Sequence, residues 1–126
     1  MGTVYASIAL SNPRHEELKP VLTRALVDTG TMYLCIPEHV ALQLRLEPIH
    51  EREVTLANGS RQMCAYVGPV YVRFEDRGCF TGALVLGDEV LMGAIPMEDM
   101  DLVVTPLTRT IGANPISPNI PSSLAK

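Results

Sequence analysis

Asp28 is the residue around which any chemistry in this chain has to be built. It stands in the stretch RALVDTGTMYL, residues 24–34, where Ala25, Leu26 and Val27 read as a buried strand and Met32, Tyr33 and Leu34 are apolar again. Placing a carboxylate between two core segments is costly, and a carboxylate held in such a setting is an acid–base candidate. Asp, Thr and Gly are also turn residues for good local reasons, so the tripeptide alone is equally an ordinary turn. Its position favours the chemical reading, because this turn joins core strands and not a polar tip. One carboxylate cannot both activate a water and protonate a leaving group. Two aspartates sharing one proton can, since like charges at contact distance do not both ionise. Asp-Thr-Gly occurs once in the chain, so the second copy has to come from a second chain. A two-fold axis supplies it, and C2 dimers are the commonest oligomers.

The other reactive side chains form no constellation. Cys35, Cys64 and Cys79 are odd in number, widely spaced and set among apolar neighbours, which reads as buried free thiols in a reducing compartment. There is no Cys-x-x-Cys, and His15, His39 and His50 make no metal-spaced pair, so neither a metal nor a cofactor is expected. The net charge is −4 with no basic cluster, which argues against a nucleic-acid partner. No apolar run reaches membrane-spanning length. The N-terminus has neither a basic start nor the Ser or Thr at position six that myristoylation wants, Ala6 standing there. These features imply a cytoplasmic chain.

The elements that must position Asp28 are mostly strands. With 126 residues, 47% of them hydrophobic, the chain suffices for one domain with a modest core. Its mean hydropathy of +0.18 is slightly apolar for a small monomer, a hint of a buried subunit interface. TVYASIAL and VLTRALV read as the first two strands, and MYLCI as the third. Pro37 then opens a helix that puts Val40, Ala41 and Leu44 on one face, with Glu38 near the positive end of its dipole. EREVTLA and RQMCAYVGPVYVRFE are strands joined through Asn58-Gly59-Ser60, a strong hairpin signal, and the second is broken or bent at Gly68-Pro69. CFTGALVLG, then DEVLMG, carry further apolar strands, IPMEDMDL a short helix, and VVTPLTRTIGA one or two short strands. Residues 1–109 make the domain, and residues 110–126 a Pro-rich tail, partly loose or contributing to a dimer interface. Strands at short intervals with tight turns predict a mainly β chain folded as a small closed barrel.

In this order and spacing the chain resembles a retropepsin-type aspartic protease, closest to the bacterial retroviral-like peptidases of the same clan. LVDTGT (26–31) matches the catalytic loop, LANGSR (56–61) lies where the family carries its flap hairpin, GPVYVRF to GALVLG supplies the central strands, and VLMG (90–93) fits the two-apolar-plus-Gly motif beside the loop. The match runs from the first strand to about Pro106. It departs at the flap tip, which in retroviral enzymes is glycine-rich, at Ala94 where they carry a polar residue, in the longer helix 37–44, and in the long tail. The resemblance implies a closed barrel with one or two short helices and one active-site half per chain. It implies an aspartic endopeptidase acting on an extended peptide as a homodimer, with Asp28 catalytic in each subunit. Thr29, Gly30 and Thr31 support the loop from within, with the Thr31 hydroxyl in reach of the outer Asp28 oxygen, while Leu91, Met92 and Gly93 pack beside it. Ala57, Asn58, Gly59 and Ser60 form a lid over the substrate; their bland reading is a plain hairpin turn. Two rivals stand beside this. One is an inactive dimeric peptide-binding or scaffolding module of the same fold, since a complete motif does not prove turnover. The other is the Asp-x-Gly-Thr phosphate loop of sugar kinases and actin-like ATPases, which needs two large lobes and further nucleotide motifs that a chain of this length lacks.

Overall fold

The computed structural model describes residues 2–125. Among these, nine strands and two short helices follow one another as β1 (Tyr5–Ser11), β2 (Val21–Val27), β3 (Leu34–Ile36), α1 (Glu38–Gln43), β4 (Glu47–Thr55), β5 (Arg61–Phe74), β6 (Arg77–Val85), β7 (Val90–Met92), α2 (Ala94–Asp99), β8 (Leu102–Thr105) and β9 (Thr110–Ala113). The fold is the mainly β closed barrel expected. Strands run in the order β1-β2-β7-β3-β6-β5, and a pairing between β1 and β5 closes the ring. β4 lies outside it, paired only to β5. β8 and β9 form a separate antiparallel ribbon.

Alternation explains which side chains fill the barrel. Along β1, Ala6, Ile8 and Leu10 are buried and the residues between them are not, the period of two that a half-buried strand requires. Leu10 stands opposite Val21 of β2 and Val72 of β5 at the seam, and it is fully buried. Truncating such a residue to alanine costs ~3 kcal/mol. α1 begins after Pro37 and closes the barrel end with Val40, Ala41 and the following Leu44, the face expected from the sequence. β4 extends further back than its alternating stretch, into Glu47-Pro48-Ile49-His50, with an irregular register between Pro48 and His50. An edge strand tolerates this, because the missing proline donor need not face a partner.

β5 is one continuous strand whose halves do different jobs. Arg61–Gly68 pair with β4, while Tyr71–Arg73 pair with β1. The register against β6 shifts between Val67 and Val70, across the cis Gly68–Pro69 bond, where the sequence placed a break or bend. The hairpin thereby rises from the barrel wall without leaving the sheet.

β7 is the strand that shapes the site. It pairs in parallel with β2 (Ala25 with Val90, Leu26 with Leu91, Val27 with Met92) and touches β3 on its other side at Cys35. Residues 28–33 therefore bridge two strands that are not neighbours, straddling the end of β7. The sequence boundary at residues 109/110 falls where the β8–β9 turn ends, so the segment read as tail begins with β9. The tail beyond β9 is tied back by Asp101, whose carboxylate accepts from the Asn114 amide (3.0 Å), the Ser117 hydroxyl and the Ser122 N–H (2.9 Å). Arg77, buried, donates to the carbonyls of Met100 (3.2 Å), Asp101 (2.8 Å) and Ser117. Among the described residues no helix is long and apolar enough to cross a membrane.

Candidate active site

The loop after β2 is a short turn that folds around its own carboxylate. The N–H of Thr31 donates to the carbonyl of Asp28 (3.1 Å). Gly30 N–H donates to Asp28 Oδ1 (3.0 Å), and the Thr31 hydroxyl donates to Oδ2 (3.3 Å). Each carboxylate oxygen thus has one donor and keeps a free lone-pair side. A Cβ on Gly30 would stand 3.2 Å from Oδ1, which is why the approach of that N–H wants glycine.

The partners expected along residues 90–93 are brought to this loop. Asp28 N–H donates to the Met92 carbonyl (3.0 Å). Ala94 and Ile95, opening α2, donate to the carbonyls of Thr31 (2.7 Å) and Met32 (2.8 Å). Gly93 lies so close beneath the loop that an added Cβ would meet the carbonyl oxygens of Thr31 and Tyr33 at 2.5 Å. Met92 is fully buried under the loop, and Leu91 is half-buried in the wall beside it.

One expectation is corrected. The flanking strands predict a carboxylate enclosed by core, yet Asp28 and Thr29 are exposed. The segments on either side are indeed apolar, but β7 holds them apart, so the turn between them is left exposed among the described residues.

A cavity of about 560 Å³ opens beside this loop. Gly30, Thr31 and Tyr33 line one side, β4 from Arg52 to Thr55 with Leu56 and Ala57 another, and residues 86–89 a third. Its floor is a second, smaller apolar cluster of Cys35, Cys64 and Leu84, with Tyr33, Val54, Tyr66 and Leu91 packed against it. All three cysteines are free and buried, as read from the sequence. Burial pushes the Cys35 thiol up to about 11 and Cys79 up to about 12, so neither is an available thiolate at neutral pH. Among the described residues no group of three His, Cys, Asp or Glu side chains is placed to hold a metal.

The hairpin over the cavity turns at residues 57–59. Gly59 N–H donates to the Leu56 carbonyl (2.9 Å) and Leu56 N–H to the Ser60 carbonyl (2.8 Å), with Gly59 at φ 85°. This is a type I turn followed by a left-handed glycine, the three-residue hairpin, and not the two-residue turn that Asn-Gly most often marks. Asn58 keeps a negative φ and spends its side-chain oxygen on Ser60 N–H (2.9 Å) and Oγ (2.6 Å). Ala57 faces the cavity, while Asn58, Gly59 and Ser60 form an exposed tip.

Sequence reasoning missed the aromatic corner of the cavity. The Arg52 guanidinium lies 4.7 Å from the ring centre of Tyr33 and 4.6 Å from that of Tyr66, and His50 stacks on Tyr66 at 4.8 Å. The signal was present: the alternation that turns Val54 and Leu56 inward turns Arg52 inward too.

Comparison with solved structures places this fold beside a protease. The solution structure of the simian foamy virus (mac) protease superposes with a TM-score of 0.53 at 15% identity, over 74% of this chain and 90% of that one. The fold is retropepsin-like. No protein-family profile matches the chain. No curated protein matches it either.

Proposed function

We propose that the chain is an aspartic endopeptidase, active as a homodimer that brings two Asp28 carboxylates to one water. The observation that carries this reading is the Asp28 loop itself. An exposed carboxylate, oriented by one donor on each oxygen, sits on a loop whose Gly30 and Thr31 line an apolar cavity in a retropepsin-like barrel. One Asp28 takes the proton of the water; the other, protonated, donates to the scissile carbonyl. In this reading Thr29, exposed on the same loop, meets the second copy. The water is never bonded to the protein, so the inert thiols are consistent with the chemistry. The hairpin 56–62 closes over an extended peptide and excludes solvent.

Dimerisation has its own support. Leu107, Ile116, Ile120 and Leu124, on the β8–β9 turn and the tail, are at least three-quarters exposed in the single chain. Exposed apolar side chains recurring along one terminal segment are what a second copy would cover in this reading.

The test is cleavage of a peptide mixture by the full chain and by Asp28→Asn, with and without a transition-state mimic of the pepstatin type. Asparagine is nearly isosteric but takes no proton from water. Cleavage by the wild type alone, blocked by the mimic, is expected, with unchanged circular dichroism in the variant. Peptide binding without cleavage would instead identify an inactive binding module of the same fold.

A further inference from the structure

Among the described residues Arg52 is the one cation that lines the cavity. It lies on β4 between the exposed Glu51 and Glu53, sharing its inward face with Val54 and Leu56. Tyr33, which follows the Asp28 loop, and Tyr66 of β5 stand at 76° to one another and form a corner around its guanidinium. His50, two residues earlier on the same face, braces Tyr66 from behind with its ring 12° from parallel. Gly82 leaves room for that arrangement, since a Cβ there would stand 2.2 Å from the Tyr66 ring.

The corner holds the cation without neutralising it. Among the described residues the ion pairs are His15–Glu17, Arg61–Glu53 and Arg77–Asp101, and none involves Arg52. Three carboxylates line the cavity, those of Glu53, Asp88 and Glu89. All are exposed, and Glu53 is engaged by Arg61 at 3.7 Å. A guanidinium is planar and carries five donors in a fixed fork, so fixing its plane also fixes the direction of its hydrogen bonds. Two aromatic faces occupy two of its sides, and the cavity lies on a remaining side. Such a fork is preorganised for two parallel hydrogen bonds to a carboxylate.

We infer that Arg52 is a specificity residue, binding the side-chain carboxylate of a Glu or Asp in the peptide that occupies this cavity. The inference rests on the peptidase reading and names the class of substrate. The three rim carboxylates sharpen the selection, because they repel an anion seated anywhere but at Arg52. The adjoining floor of Leu84, Leu91 and Val54 takes an apolar neighbour of that acidic residue.

The experiment starts with a degenerate peptide library cut by the full chain and sequenced at the cut. Matched peptides carrying Glu or Gln at the enriched position are then compared for kcat/KM. The wild type should favour Glu over Gln about tenfold, the scale of a charge-assisted fork over a neutral contact. Arg52→Met should bring that ratio close to one. Arg52→Lys, a point charge without the fork, should leave an intermediate ratio, and Arg52→Glu should favour Lys at the same position. A ratio near one in the wild type would overturn the inference while leaving the peptidase standing. So would an Arg52→Met variant that slows both peptides by the same factor, which would make Arg52 a mere brace for β4. If the wild type cuts nothing that Asp28→Asn leaves intact, both readings fall together.

Discussion

The distance between Asp28 and Thr31 is one turn of backbone and one hydroxyl bond of 3.3 Å. That bond fixes the outer carboxylate oxygen, as the Gly30 N–H fixes the inner one. Thr31→Ala removes it and leaves the carboxylate held by the Gly30 N–H alone. The expected result is a fall in kcat of about fivefold, the worth of one neutral hydrogen bond of about 1 kcal/mol, with KM unchanged. Thr31→Ser should restore the rate. A Thr31→Ala enzyme with wild-type kcat would mean that the hydroxyl serves the loop backbone alone. At this scale the sequence was legible where chemistry is local. Asp28, Gly30 and Thr31 are neighbours in the chain, and their contacts follow from turn geometry. Arg52, Tyr33 and Tyr66 meet only across the sheet, and no spacing in the sequence announces such a meeting. The exposure of Asp28 was misread for the same reason, because it depends on a strand from the far end of the domain.

Among the elements, β7 and α2 act as a wedge under the Asp28 loop. Gly93→Ala would push a methyl group to 2.5 Å from two backbone carbonyl oxygens, neither of which can swing aside as a side chain would. Overpacking of this kind costs about 1–3 kcal/mol. The variant should unfold at lower denaturant concentration and lose activity beyond what the folded fraction explains; a silent substitution would show that the loop tolerates a shift. The tail gives a second test. Hydrogen bonds from the Ser117 hydroxyl, the Ser122 N–H and the Asn114 amide, aided by the Arg77 charge, hold the Asp101 carboxyl below its usual range. A lowered folded value means that the tether is complete above the unfolded value of about 3.9 and is lost as the pH falls through the folded one. Protection against hydrogen exchange at residues 117–122, relative to the intrinsic rate at each pH, should therefore fall only below about pH 4, whereas Asp101→Asn should lower it at neutral pH. Equal protection in the two proteins would place the tether elsewhere. Strand positions were readable from alternation. The order of strands was not, since parallel pairing of β2 with β7 leaves no local signature, and neither was the anchoring of a Pro-rich tail through a buried arginine.

For the whole molecule the decisive quantity is concentration. Under the proposed mechanism a chain holding one Asp28 loop supplies half of a two-carboxylate site, so activity per chain should fall on dilution as dimers dissociate. Sedimentation across the same range should show the dimer vanish in step. Full activity per chain in a sample that sediments as a monomer would remove the shared site. The closed barrel was legible as a class because six short apolar strands with tight turns leave few other ways to hide strand edges. Its likeness to a viral protease at 15% identity shows how little of that architecture depends on particular side chains.

The threading of β7 between β2 and β3 also has a meaning in time. A ribosome delivers Asp28 early, but Met92, which accepts the Asp28 N–H, and Gly93, on which the loop rests, arrive only near the end of the domain. Until then β2 lacks its parallel partner and the loop has no floor. The ribbon and tail that carry the exposed apolar residues come later still. The growing chain is thus incomplete at this loop by construction: if the loop cuts peptides as proposed, it does so only after the chain's own unfolded length has folded away.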